Sequence, residues 1–178
     1  MAGKTTFIKM VGINIIFGQT LGFCLASKAV IPRSSVRASI RAEHSVESGR
    51  SHYFAEIEAI LSFLESAKQG SCRLFLIDEL FSGTNTVERI AAARAVLESI
   101  SSNAQVLVTT HDVELQALLE RRFDLYHFQE NQDVEGFDYR LRPGRADERN
   151  AIRLLGRMGF PEDVVRNAMR FAKGNGEP

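Results

Sequence analysis

The sequence has no surplus of charge: Lys and Arg together number 22, and so do Asp and Glu. A chain that held nucleic acid through bulk positive charge would show a basic excess. Composition therefore gives no support to direct DNA contact by this chain. Cysteine is scarce as well. Cys24 and Cys72 are the whole supply, without metal-ligand spacing and too few for a disulfide framework. They read as two buried thiols in a reducing cytosol. No apolar run is long enough to span a bilayer, because charged residues interrupt every candidate. The N-terminus lacks the clean apolar stretch and the small-residue cleavage site of a signal peptide. Internal repeats and low-complexity tracts are missing too. What is left is a cytoplasmic globular chain with no membrane partner. Its 178 residues suit one domain, or one domain with a small appendage, and 44% hydrophobic residues suffice for a core.

Periodicity supplies the elements. Phe7, Ile8, Val11, Ile15 and Ile16 recur at helical spacing between Gly3 and Gly18. Phe23 to Ile31 is small and apolar and is expected as a strand or extended piece closed by Pro32. Val36 to Arg41 is expected as a short strand, and residues 43–49 as a loop. From Ser51 a helix carries Tyr53, Phe54, Ile57, Ile60, Leu61 and Leu64 on one face. Leu74 to Ile77 is continuously apolar, as in a strand buried on both faces, and it ends in Asp78-Glu79. Asn85 and Glu88 form a capping pair before a helix through Ile90, Ala93, Leu97 and Ile100. Val106 to Val108 is a second buried strand, ending in Thr109-Thr110-His111. A short helix follows over Val113 to Glu120, then strands over Phe123–Phe128 and Phe137–Leu141. Helical pieces over Arg149–Arg157 and Glu162–Lys173 close the chain. Buried strands alternating with helices predict an α/β fold with a largely parallel sheet. In such sheets ligands sit at the C-terminal strand ends, where Asp78, Glu79 and His111 lie.

Gly3-Lys4-Thr5-Thr6 matches the last part of the phosphate-loop pattern G-x-x-x-x-G-K-[ST]. In that pattern backbone N–H groups cradle phosphates, the lysine reaches the terminal ones and the hydroxyl binds Mg²⁺. On its own the tripeptide is weak evidence, and an ordinary helix start explains it more simply. An apolar strand delivering Asp78-Glu79 is how an acidic pair reaches a phosphate site: one carboxylate for Mg²⁺, one for the attacking water. On its own it is equally a strand ending in two solvated carboxylates. His111 after the second strand can hydrogen-bond a terminal phosphate and report its loss. Ser48-Gly49-Arg50-Ser51 opens a helix whose N–H groups would face an anion, although taken alone a plain Ser51 N-cap explains it better.

In combination these segments resemble the ATPase domain of the MutS family, a branch of the ABC-type ATPases. Met1-Ala2-Gly3-Lys4-Thr5-Thr6-Phe7 resembles the second half of its phosphate loop. Glu47 to Glu56 resembles its signature segment, Leu76 to Asn85 its acidic strand and G-T loop, and Thr109-Thr110-His111 its A-T-H switch. The likeness runs from Met1 into the final helices. It implies a P-loop NTPase of ABC type, with a mostly parallel central sheet flanked by helices and a C-terminal helix-turn-helix. It implies ATP and Mg²⁺ as cofactors. Gly3, Lys4, Thr5 and Thr6 would bind phosphate, and Thr5 and Asp78 the metal. Glu79 would act on the water and His111 would sense the γ-phosphate. Ser48, Gly49 and Ser51 would reach the ATP of a partner chain. The partner would be a second copy or a related MutS-like subunit, and DNA would be held by domains absent from this chain. The expected division is an ATPase domain over 1–145, starting inside the phosphate loop, and a dimerisation segment over 146–178.

The departures also carry expectations. The leading glycine of the loop would lie ahead of Met1, which predicts weakened nucleotide affinity. His52 and Tyr53 stand where the family usually has Thr and Phe. Leu80-Phe81-Ser82 differs from the mismatch-repair type, which has a Gly-Arg pair nearby.

Overall fold

The computed structural model describes residues 3–40, 52–70, 72–130, 137–145 and 150–172. The elements run α1 (Lys4–Thr20), β1 (Val36–Ser39), α2 (His52–Lys68), β2 (Leu74–Asp78), α3 (Thr86–Ser101), β3 (Gln105–Thr109) and α4 (Val113–Leu119). They continue with β4 (Tyr126–Glu130), β5 (Phe137–Pro143), α5 (Asn150–Arg157) and α6 (Glu162–Ala172). The chain divides into two compact units, Met1–Leu125 and Tyr126–Pro178.

In the first unit β1, β2 and β3 form a sheet in that order, and every pairing is parallel. The register sets Asp78 beside Thr109 at the C-terminal end. The central strand β2 is apolar from Leu74 to Ile77 because both of its faces are covered. Phe75 and Ile77 point to one side, where they join Ile60, Phe63 and Ala67 of α2, Ala93, Leu97 and Ile100 of α3, and Leu115 and Leu119 of α4. Leu76 points the other way, into α1, as the two-residue alternation of a strand requires.

Gly12 makes that second contact possible. It is buried in α1, and a Cβ placed on it would stand 2.8 Å from Leu76 Cδ1. Gly12→Ala would gain about 1 kcal/mol of helix propensity, but overpacking a tight core costs about 1–3 kcal/mol. Leu76 is itself fully buried, so overpacking should win. The expected result is a small net loss of stability, read as a lower urea midpoint with an unchanged slope. A higher midpoint would mean that Leu76 yields freely.

Helix α3 begins as its sequence predicts: the Asn85 side chain accepts from the Glu88 N–H at 3.0 Å. Two expectations need correction. Of the two forms expected for residues 23–31, a strand or an extended piece, the strand is ruled out: the segment is irregular, with bends over 25–28. Leu25 and Val30 are exposed, and the segment is tethered by side chains instead of a ladder. Asn14 Oδ1 takes the Leu25 N–H and Gln19 Oε1 takes the Ser34 N–H. In α2 the core face is rotated: Ile60, Phe63 and Ala67 are buried, whereas Phe54, Ile57 and Leu61 are exposed. Cys72 is buried as expected, but Cys24 is only partly so, and both are free thiols.

In the second unit β4 and β5 pair antiparallel, and α5 packs against α6. No helix among the described residues is long and apolar enough to cross a membrane.

Candidate active site

At the C-terminal end of the sheet the chain brings together three segments distant in sequence. The first is the start of α1. Gly3, in the left-handed region at φ 81°, sets the entry of the helix, a conformation that glycine adopts without steric cost. The first N–H groups of a helix have no carbonyl one turn back, and the helix dipole makes that end positive. The first turn of α1 holds no acidic residue to neutralise it. Lys4 and Thr5 are half-buried there and Thr6 is exposed.

The second segment is the end of β2. Asp78 is buried at 6% exposure, and both of its oxygens are used. Thr5 Oγ1 donates to Oδ2 at 2.7 Å and Thr109 Oγ1 donates to Oδ1 at 2.6 Å. A hydroxyl beside a carboxylate matches the donor set of Mg²⁺, which takes one or two protein oxygens and fills its octahedron with water and phosphate. Among the described residues no cluster of three or more His, Cys, Asp or Glu is placed to hold a metal ion. Thr5 and Asp78 therefore fit an ion that arrives with phosphate.

After Asp78 the backbone turns sharply. Glu79 and Phe81 both have positive φ, 59° and 56°, which costs a residue with a Cβ about 1–2 kcal/mol. The turn is held from several sides. The Glu79 N–H donates to the Thr109 carbonyl. The Phe81 N–H donates to Glu56 Oε1 of α2. The Phe81 ring is buried in the core, edge-on to Tyr53.

The third segment is the stretch after β3. Lys4 Nζ donates to the Thr110 carbonyl at 3.0 Å and lies 2.9 Å from His111 Nδ1. His111 Nε2 lies 2.9 Å from Glu79 Oε1. An ammonium has donors only, so Nδ1 is the acceptor and Nε2 carries the ring proton toward Glu79. Lys4, His111 and Glu79 thus form one hydrogen-bonded chain. Burial pushes the Lys4 ammonium below its ordinary range, against the opposing pull of Glu79, Asp78 and Asp112.

The residues expected from sequence therefore meet at this end of the sheet in two hydrogen-bonded sets, Thr5 with Asp78 and Lys4 with His111 and Glu79. Gly3 shapes the helix entry, and Thr6 lies exposed in the first turn of α1. Ser48, Gly49 and Ser51 lie outside the described residues. Sequence reading did not find the role of the Thr109 hydroxyl, nor Glu56, Arg89 and Asp112. Arg89 forms a two-pronged pair with Asp112, at 3.0 Å from Nε and 2.6 Å from Nη2. No local pattern marks such partners, because they come from different elements.

The MutS domain V family model matches residues 1–174. The DNA mismatch repair protein MutS of Thermus aquaticus is 30% identical over 172 residues, 94% of this chain and 21% of the relative. MutS of Aquifex pyrophilus is 32% identical over 181 residues, 97% of this chain and 21% of the relative. Endonuclease MutS2 of Thermus thermophilus is 31% identical over 172 residues, 94% of this chain and 23% of the relative. The chain thus spans about a fifth of the length of the curated relatives it matches.

Proposed function

Because this chain belongs to the MutS domain V family, we propose that it binds and hydrolyses ATP and works as a nucleotide-driven dimeric switch in DNA repair. The observation that carries this reading is the convergence of Lys4 and Thr5 with Asp78, Glu79 and His111 at one end of a parallel sheet. Lys4 and the first N–H groups of α1 hold the phosphates. Thr5 and Asp78 hold Mg²⁺, which when bound offsets phosphate charge. Glu79 takes the proton of the attacking water as its oxygen bonds to the γ-phosphorus. The bond from that phosphorus to the β–γ bridging oxygen breaks, and ADP and phosphate leave. Lys4 cannot hold Thr110, His111 and a phosphate equally well. Nucleotide therefore loosens its grip on the segment after β3, and His111 is free to meet the γ-phosphate.

Ser48, Gly49 and Ser51 act in trans, as the family resemblance implies, so each ATP is enclosed only when two chains pair as homologous ABC-type ATPase domains. Helices α5 and α6 support the pairing as a helix-turn-helix. DNA is engaged through other domains of such a protein and raises turnover through this one.

A second reading is a dimerisation module without turnover. It draws on the exposed Met158, Phe160, Val164, Met169 and Phe171 of the α5–α6 region, a run that monomers seldom leave in water.

ATPase rate per mole, measured over a range of chain concentrations with Mg²⁺, separates the two. A specific rate that climbs with concentration is expected of a composite site. A background rate at every concentration, with a mass that still doubles, would leave only the second reading.

A further inference from the structure

We propose that Arg89 is a positioning residue that keeps His111 in register with Glu79 and the terminal phosphate once Lys4 has let the switch segment go. This inference rests on the ATPase reading above.

Residues 109–112 are tied down largely by groups that nucleotide and metal would claim. Thr109 Oγ1 is bound to Asp78, the Thr110 carbonyl to Lys4, and His111 to both Lys4 and Glu79. The Thr110 hydroxyl accepts the Asp112 N–H, which stiffens the segment but attaches it to nothing else. Besides the Thr109 carbonyl, which accepts the Glu79 N–H, the Asp112 carboxylate is the exception. It grips Arg89 through both oxygens, and the pair is largely screened, with side-chain exposures of 22% and 16%. Planar two-point pairing fixes direction as well as distance.

Both ends of the pair are well placed. Asp112 is the N-cap position of α4, yet its side chain makes no cap hydrogen bond; its oxygens are committed to Arg89. Arg89 lies in the first turn of α3, anchored by the Asn85 cap and by Thr84 Oγ1 donating to Glu88 Oε2 at 3.0 Å. That turn follows directly from the Glu79–Gly83 loop. The pair therefore clamps the segment bearing His111 to the segment bearing Glu79 through atoms that touch neither phosphate nor metal. A displacement of about 1 Å in a reacting group can lower a rate on the order of 10²-fold, so losing such a clamp should act on turnover more than on binding.

The test compares wild type, Arg89→Met, Asp112→Asn, the exchange Arg89→Asp with Asp112→Arg, and Arg94→Ala. Arg94, on the same helix, pairs with Glu98 one turn on at the surface and serves as control. Asn at 112 keeps N-cap preference, so that variant should fold even if Arg89→Met does not. kcat, KM, affinity for a non-hydrolysable ATP analogue with Mg²⁺, and melting temperature are measured for each. The expected result is a fall in kcat of about tenfold for both single variants. Analogue affinity should stay within about twofold, the exchange should recover part of the loss, and Arg94→Ala should match wild type. An unchanged kcat would overturn the proposal, as would kcat, affinity and melting temperature falling together. Wild-type turnover no higher than that of Glu79→Gln would instead overturn the ATPase reading itself.

Discussion

Glu79→Gln is expected to lower kcat by roughly 10²–10⁴-fold, the usual contribution of a positioned general base, while ATP stays bound. Gln has the same shape. Its amide oxygen still accepts the His111 Nε2 proton that Glu79 Oε1 faces at 2.9 Å. It fits the same positive-φ backbone and lies within the same turn. What it lacks is basicity, so only the proton transfer from water is removed. With hydrolysis stalled, the ATP-bound pair should outlive the wild-type pair. Steady-state turnover, analogue affinity and light scattering with and without Mg²⁺-ATP check all three parts. A kcat within about threefold of wild type would remove Glu79 from the chemistry. A pairing indifferent to both ATP and the substitution would remove the switch.

Lys4→Met should separate binding from stability. A hydrogen bond to a charged group contributes about 1.5–3 kcal/mol, so affinity for Mg²⁺-ATP should fall about 10- to 100-fold. Stability without nucleotide should not fall. Burial lowers the Lys4 pKa from its ordinary value of 10.5, so folding acts against the charged form of this side chain. Methionine keeps most of the packing and avoids that cost. The sign follows from proton counts. Between the lowered folded value and 10.5 the unfolded chain holds a proton that the folded chain has shed. Raising the pH through that window therefore favours the folded wild type. Urea unfolding from about pH 7 to about pH 10 should show Lys4→Met at least as stable as wild type at the lower end, with the gap closing as pH rises. A variant less stable throughout would show that Lys4's bonds to Thr110 and His111 outweigh its burial.

How far the sequence could be read depended on whether a feature was local. The strand at Leu74–Ile77, the capping pair at Asn85 and Glu88, and the core face of α3 all sit where the pattern puts them. So do the residues that meet at the sheet's end, because parallel strands flanked by helices leave one place for Asp78 and His111. The failures share a cause. Residues 23–31 have strand composition, but no neighbouring strand takes up their N–H groups. In α2 two apolar faces compete, one through Ile57 and Leu61 and one through Ile60 and Phe63, and composition alone does not say which meets β2. The bonds that shape the site lie beyond any local pattern: Thr5 and Asp78 are 73 positions apart, and Glu56 and Phe81 are 25.

The turn at Glu79–Phe81 also bears on the order in which the site comes into being. Two left-handed residues within three positions, Glu79 and Phe81, are unfavourable for an isolated chain. What compensates them is distant: the Glu56 carboxylate, the Tyr53 ring and the carbonyl of Thr109. A half-folded chain with β2 already formed would hold its acidic pair in an ordinary extended conformation, unable to face His111. Competence to hydrolyse should therefore emerge late, after α2 and β3 have docked, and should be lost early on unfolding, when either comes away. Amide exchange at Phe81 would register that loss before the core strands open.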